Sequence, residues 1–139
     1  MNIGRFVGAV IGVWIVRVAL NATFYTQIVE RQFEAISSAH PDMFRTVIPA
    51  YIVTDLIFAL AFTFLFVKVG ATLGGGLKAG MTLGVAIAIL SPVLGNLYQY
   101  YSVTYLPAGL AFTDSIFHVI AHAVEGGVAG VIYKDMGRL

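Results

Sequence analysis

Four ionisable residues near the end of the chain recur at helical spacing. They are Asp114, His118, His122 and Glu125. Intervals of four, four and three residues place all of them on one face of an α-helix. A histidine titrates near neutral pH, and a neighbouring carboxylate shifts that titration. The stripe is therefore a candidate path for protons or a binding site for a translocated solute.

Polar residues also lie inside the other apolar stretches of the chain. Arg17 and Asn21 are four residues apart and share a helical face, and Asp55 lies in the middle of a second apolar stretch. An ionisable side chain at the centre of a bilayer costs about 2.5–3.5 kcal/mol on insertion scales, so such residues face the protein interior and usually mark function. The predicted binding site consists of Arg17, Asp55, His118, His122 and Glu125, with Asn21, Ser91 and Asn96 as neutral hydrogen-bonding groups.

Two interpretations of this predicted site need no cofactor. In the first, Arg17 pairs with Asp55 or with Glu125, and the histidines move protons, metal ions or small polar solutes. The protein is then a small transporter or a channel-like protein. In the second, the charges neutralise each other and fix which helices pack together. The protein is then an accessory or structural subunit of a larger membrane complex.

A third interpretation is a metal-binding or haem-binding membrane protein. Two histidines four residues apart on a helix can chelate one ion, so His118 and His122, with Asp114, are candidate ligands of a divalent transition metal. Haem fits less well, because bis-histidine ligation usually takes one histidine from each of two helices. The chain has no cysteine, so thiolate metal sites and disulfides are excluded.

Enzymatic catalysis and nucleic-acid binding have no support in the sequence. It contains no G-x-S-x-G, Walker or H-E-x-x-H motif, and Val119 follows His118 where a zinc protease needs glutamate. The 8 Lys and Arg residues against 7 Asp and Glu give a net charge of +1, which is too small for a basic nucleic-acid surface. We therefore assign no reaction and expect no nucleic-acid partner.

The helices that position these residues are expected to lie in a lipid bilayer. Hydrophobic residues make up 59% of the 139 residues and charged residues 11%, with a mean hydropathy of +0.89; soluble domains are about 45–50% apolar and about 25% charged. Apolar stretches occupy residues 6–24, 47–67, 79–97 and 112–133, and about 20 residues cross a bilayer as a helix. The sequence predicts one all-α domain, residues 1–139, in which four transmembrane helices, spans 1 to 4, form a bundle.

Basic residues are concentrated in connections that would share one side of the membrane. They are Arg5, Lys68, Lys78, Lys134 and Arg138. The connection 96–111 has no Lys or Arg, while the connection after span 1 has Arg31 and Arg45 together with three acidic residues. Because positive residues favour the cytoplasmic side, both termini are predicted to be cytoplasmic. In general appearance the chain is similar to small four-helix bacterial membrane proteins, which implies a prokaryotic cytoplasmic membrane.

Glycines recur at every fourth position on three of the four spans. They are Gly4, Gly8 and Gly12 on span 1, Gly80 and Gly84 on span 3, and Gly126 and Gly130 on span 4. Small residues at this spacing let two helices approach closely in lipid. The glycines are expected to pack the helices of one bundle, or, on span 1, to contact a second copy of the chain. The expected partners are the lipid bilayer and either a homo-oligomer or other membrane subunits.

A weak internal repeat is present. Residues 54–58 and 113–117 match at four of five positions, and Asn21 and Asn96 occupy similar places near the outer ends of spans 1 and 3. Duplication of a two-helix hairpin would explain these matches. The two hairpins would then pack as a pseudo-symmetric pair, with a site at the interface between them.

The two halves of the bundle are expected to differ in polarity. Pro92 is expected to open the backbone hydrogen-bond ladder of span 3 in its outer half, which predicts a polar cavity there that is open outward. The inner half is predicted to be closed by Phe62, Phe64, Leu65 and Phe66, facing the glycines of spans 1 and 4.

Overall fold

The computed structural model describes residues 2–43 and 47–133, which form helices joined by turns. Span 1 is an α-helix, Ile3–Thr23, continued by a π-helical turn, Phe24–Ile28; span 2 is Ile48–Val69; span 3 is Gly76–Ala88, a π-helical turn, Ile89–Val93, and Leu94–Ser102; span 4 is Ala108–Ile132. The described residues contain no β-strand. All four spans are long and apolar enough to cross a membrane, which confirms the prediction of an all-helical chain with four such helices.

The spans differ from the predicted ranges at their ends. Span 3 continues to Ser102 because Pro92 does not end the helix. A π-helical turn surrounds this proline, and such turns accommodate a residue that cannot donate to the helical ladder. Span 4 begins at Ala108, directly after Pro107. The connection between spans 3 and 4 is therefore shorter than the sequence predicts.

Three helix ends meet at one end of the bundle. The Tyr133 hydroxyl donates to the backbone carbonyl of Asn2 at 3.0 Å, and burial raises the pKa of this phenol, which keeps it a donor. Gly130 of span 4 also approaches the carbonyl of Gly76, at the start of span 3. We call this end the basic end, because Arg5, Lys68 and Lys78 lie near it, and the opposite end the far end. Lys134 and Arg138, on which the predicted orientation also depends, lie outside the described residues.

Spans 3 and 4 pack backbone against backbone through their glycines. A methyl group at Gly80 would collide with the carbonyl oxygen of Gly126, and one at Gly84 with the carbonyl oxygen of His122. Close approach of this kind replaces the hydrophobic driving force that lipid does not supply. The glycines of these two spans therefore pack helices of the same chain.

The glycines of span 1 are divided between two environments. A methyl group at Gly12 would lie 3.0 Å from Cγ1 of Val128 and 3.3 Å from Cδ1 of Ile132, so Gly12 packs against span 4. Gly4 and Gly8 are exposed, and no atom lies within 4 Å of a methyl group placed at Gly8. Contact of this exposed part with a second copy stays a prediction.

Two of the four side chains predicted to close the inner half are buried. Phe62 and Phe66 are 2% and 0% exposed. The prediction was wrong for Phe64 and Leu65, which are 52% and 40% exposed. With 3.6 residues per turn, four residues within five consecutive positions cannot all face the same side of a helix.

A short surface helix, Glu30–Ala39, follows span 1 and lies against the far end. Its anchoring residues, Val29 and Ile36, are buried and pack in one cluster with Phe24 and Leu110. The helical spacing of Ile28, Val29, Phe33 and Ile36 predicts that span 1 extends here until His40-Pro41-Asp42. The structure instead separates the two helices at Val29, whose φ of −113° and ψ of 6° interrupt the helical path.

Candidate functional site

Arg17 of span 1 joins carboxylates from two other spans. Its Nε donates to Asp55 Oδ1 at 2.7 Å, and its Nη1 donates to Glu125 Oε1 at 3.2 Å. The side chains of Arg17, Asp55 and Glu125 are 13%, 12% and 1% exposed. The sequence left open which carboxylate pairs with Arg17, and the guanidinium, with five N–H donors, binds both. We call these three residues the charged triad.

A neutral amide and an aromatic ring complete the surroundings of the charged triad. Asn21 Nδ2 donates to Asp55 Oδ1 at 3.3 Å. The Phe58 ring centroid lies 3.8 Å from Arg17 Cζ, which is a cation–π contact. The same ring meets the His122 ring at a centroid distance of 5.0 Å. The guanidinium is therefore held by two carboxylates and one aromatic face.

The charged triad is not balanced in formal charge. One guanidinium and two ionised carboxylates sum to −1. An unbalanced charge in a low-dielectric interior is costly, and it is neutralised when a proton or another cation binds. A proton on Asp55, on Glu125 or on the neighbouring His122 makes the group neutral.

Asp114 of span 4 forms a second polar group, nearer the far end. The Tyr25 hydroxyl donates to Asp114 Oδ1 at 2.7 Å, and Asn96 Nδ2 donates to Oδ2 at 2.6 Å. His118 Nε2 lies 3.4 Å from Oδ2. This carboxylate thus has two neutral donors and one histidine where Asp55 has a guanidinium.

His118 and His122 lie between these two groups. Their rings are 5.6 Å apart, centroid to centroid, at an angle of 83°, and His122 Nδ1 is 3.8 Å from Glu125 Oε2. The Nδ1 atoms of both histidines are buried, and neither has a hydrogen-bond partner among the described residues. The predicted stripe is thus a spatially continuous series of ionisable groups from Asp114 to Glu125.

A cavity of about 260 Å³ opens beside the second polar group. Its polar lining residues are Tyr25, Asn96, Gln99, Asp114 and His118, and its apolar lining residues include Phe33 of the surface helix. We call this space the far-end cavity. It lies in the half of the bundle where the sequence predicts a polar cavity, and it places one end of the histidine stripe at an accessible surface.

Ser91 does not join these groups. It is exposed on span 3 and does not line the far-end cavity. No hydrogen bond connects it to the charged triad or to Asp114 within residues 2–43 and 47–133. Ser91 lies in the π-helical turn of span 3, whereas Asn96 lies in the α-helical part that follows it.

The geometry does not support the predicted metal site. In the part of the chain that the structure describes, no group of three or more His, Asp or Glu side chains has the arrangement needed to hold a metal ion. Asp114 and His118 adjoin each other, but His122 turns its Nδ1 toward Glu125. Both membrane histidines are on span 4, so a haem ligated by histidines from two helices has no second donor here.

Comparisons of the chain with protein families, with curated proteins and with solved structures find no match. The functional argument therefore depends on the site itself.

Three aromatic residues of the site were not among the predicted binding residues. Phe58 contacts Arg17, while Tyr25 and Phe33 line the far-end cavity. Two of them carry a signal in the sequence. Phe58 follows Asp55 by three residues and Tyr25 follows Asn21 by four, so each shares a helical face with a predicted polar residue. Phe33 lies on the surface helix, and its approach to the cavity depends on how the chain turns after span 1.

Proposed function

We propose that the protein is a small membrane transporter or channel-like protein that moves protons or small polar solutes through an ionisable site. One observation carries this proposal: the series Asp114, His118, His122 and Glu125 connects the far-end cavity with the buried charged triad. A series of titratable groups that begins at an accessible cavity and continues into a bundle is what a proton or solute pathway requires.

The unbalanced charge of the charged triad supports an exchangeable proton or cation. The formal charge of −1 favours occupancy by one positive charge, and His122 lies 3.8 Å from Glu125. The Nδ1 atoms of His118 and His122, which have no hydrogen-bond partner among the described residues, offer positions at which a proton can bind and leave. Within residues 2–43 and 47–133, neither atom makes a hydrogen bond to another helix.

The orientation, origin and assembly of the protein are part of the same proposal. The positive-inside rule places the basic end in the cytoplasm, so that both termini are cytoplasmic and the far-end cavity faces outward. We assign the protein to a prokaryotic cytoplasmic membrane and expect it to act as an oligomer. Duplication of a two-helix hairpin is supported by the two equivalent hydrogen bonds Asn21 to Asp55 and Asn96 to Asp114.

The proposal is tested by proton flux into liposomes that contain the purified protein and a trapped pH-sensitive dye. A potassium gradient with valinomycin supplies the driving potential. The double variant His118→Ala, His122→Ala is expected to lower flux at least about tenfold, because it removes both groups between Asp114 and Glu125. His40→Ala, which changes a histidine outside the stripe, is the matched control and should keep the flux. Unchanged flux in the double variant, at equal protein per liposome, contradicts the proposal.

The second candidate function is an accessory or structural subunit of a larger membrane complex. It is favoured by the contacts of Arg17, which bind span 1 to both span 2 and span 4. In this case the histidine variant should lose folded protein from the membrane, and the protein that remains should show no flux above empty liposomes. The amount of folded protein, measured by gel filtration in detergent, therefore separates the two functions.

A further inference from the structure

We infer that the far-end cavity is a binding site for a compact organic cation of the guanidinium or ammonium type, held by Asp114. The idea that this cation is the transported solute rests on the proposed function. Its binding can be measured without any transport. The inference comes from comparing two carboxylates that each accept a hydrogen bond from an asparagine, only one of which is paired with an arginine.

The charged triad shows how this chain holds a guanidinium. Asp55 accepts a hydrogen bond from Asn21 and forms an ion pair with Arg17 at 2.7 Å. The flat face of that guanidinium lies 3.8 Å from the Phe58 ring centroid. A carboxylate, an amide and an aromatic face are together the groups that bind planar or compact cations.

The second polar group has the same carboxylate and amide but no guanidinium. Asn96 donates to Asp114 at 2.6 Å, as Asn21 donates to Asp55. Arg17 precedes Asn21 by four residues, whereas the residue four positions before Asn96 is Pro92. No Lys or Arg is among the described residues that line the far-end cavity. Among the described residues, the chain therefore supplies no guanidinium or ammonium group at this carboxylate, whose titratable neighbour is His118 at 3.4 Å.

The cavity provides the missing parts of such a site. Tyr25 and Phe33 bring two aromatic rings to its wall, with centroids 5.4 Å apart and nearly perpendicular. An ionised carboxylate has about four acceptor positions, and Tyr25, Asn96 and His118 use three at Asp114. One acceptor position is left for a ligand. The Asp114 side chain is 13% exposed, so the carboxylate is accessible from the cavity.

The volume of the cavity favours an organic cation over a bare metal ion. About 260 Å³ is several times the share of liquid volume that one water occupies, about 30 Å³. A metal ion in this space would have Asp114 and His118 as its ionisable ligands, since no group of three His, Asp or Glu side chains suited to a metal is present among the described residues. A guanidinium or small ammonium ion instead fits in the cavity beside the Tyr25 and Phe33 rings and places its N–H groups at Asp114.

The test is a binding measurement on the full-length protein purified in detergent. Guanidinium chloride at millimolar concentration is titrated by calorimetry, with urea as a neutral probe of the same shape. We expect saturable binding of guanidinium and none of urea. Asp114→Asn should weaken guanidinium binding at least about tenfold, whereas Glu34→Gln, which removes an exposed carboxylate from the surface helix, should leave it unchanged. Equal binding of urea, or guanidinium binding that Asp114→Asn does not weaken, overturns the inference.

A tethered cation gives a second test that does not alter Asp114. Gln99→Lys places an ammonium group in the cavity, so it should raise the midpoint temperature of unfolding and abolish guanidinium binding. Gln99→Met, of similar length and without charge, should weaken binding less than about threefold, since it removes no charged hydrogen bond. If both variants bind guanidinium like the wild type, the cavity is not the site. If the protein binds guanidinium but shows no proton flux, the cation site is supported and the proposed proton pathway is contradicted. Failure of the inference and failure of the proposed function are therefore distinguishable.

Discussion

The two carboxylates Asp55 and Asp114 have similar neighbours and different surroundings. Each accepts a hydrogen bond from an asparagine of the preceding span. At Asp55 the chain adds the guanidinium of Arg17, which fills the space between three spans. At Asp114 it adds the Tyr25 hydroxyl and a histidine, and a cavity of about 260 Å³ remains. The Arg17 guanidinium closes one region, and the lack of an equivalent guanidinium leaves the other open to a ligand.

The difference predicts separate roles for the two regions. An ion pair inside a bundle is not strong evidence for stability, because desolvation opposes the Coulomb attraction, but removal of one partner is strongly destabilising. The charged triad should therefore control whether the bundle forms. The far-end cavity should control what the bundle binds, with smaller effects on stability.

The largest expected effect comes from removing the cation of the charged triad. Arg17→Met leaves two buried carboxylates without a counter-charge and should lower the free energy of unfolding by about 3–5 kcal/mol. Unfolding in mixed micelles of increasing denaturing detergent measures this loss. Arg31→Met, on the exposed side of the surface helix, is the control and should change stability by less than about 0.5 kcal/mol. A loss at Arg17 no larger than at Arg31 would show that the triad does not hold the spans.

The next effect concerns the junction between the two regions. Gly84→Ala places a methyl group against the carbonyl of His122, so span 3 must move away from the residue that links the regions. We expect a loss of about 1–3 kcal/mol. Gly8→Ala, where the methyl group meets nothing within 4 Å, should be neutral or slightly stabilising. Equal stability of the two variants would contradict the close packing of spans 3 and 4.

A smaller effect is expected at Asp55. Asp55→Asn removes a charged hydrogen bond but leaves Arg17 and Glu125 balanced in formal charge. The predicted loss is about 1–1.5 kcal/mol, much less than for Arg17→Met, and the same unfolding assay measures it. A loss as large as that of Arg17→Met would mean that charge balance does not govern the triad.

The smallest effect is expected at the far-end cavity. Tyr25→Phe removes the hydrogen bond to Asp114 and keeps the ring, so stability should fall by about 0.5–1 kcal/mol. In the guanidinium titration this variant should still bind, because the aromatic wall and the carboxylate remain. A loss of stability as large as that of Arg17→Met would show that the contacts of Asp114 hold the bundle together. The two regions would then not have separate roles.

Parts of the site could be predicted from single helices. The intervals of four, four and three on span 4 correctly place Asp114, His118, His122 and Glu125 in one continuous series, because helical periodicity is a local property. Periodicity carries less information about side chains whose direction depends on a neighbouring helix. Phe64 and Leu65 are exposed although the sequence predicts that they close the inner half, and Ser91 is exposed on the outside of span 3.

The pairing of Arg17 could not be decided from the sequence. Asp55 and Glu125 were equivalent candidates, since both lie at a similar distance along their helices from the basic residues. The structure joins Arg17 to both. Span 2 and span 4 must both approach span 1 for this contact, and that approach depends on packing. The glycines that bring span 3 against span 4, and the contact of Gly12 with Val128, contribute to it.

The sequence by itself determined that the chain is helical, that four of its segments are long and apolar enough to cross a membrane, and which polar residues share a helical face. These properties follow from composition and from the period of one helix. Only the tertiary structure decided that one aspartate meets an arginine and the other a cavity. That outcome depends on how close each helix comes to the others, and backbone contacts at glycines and the turn after span 1 set those distances.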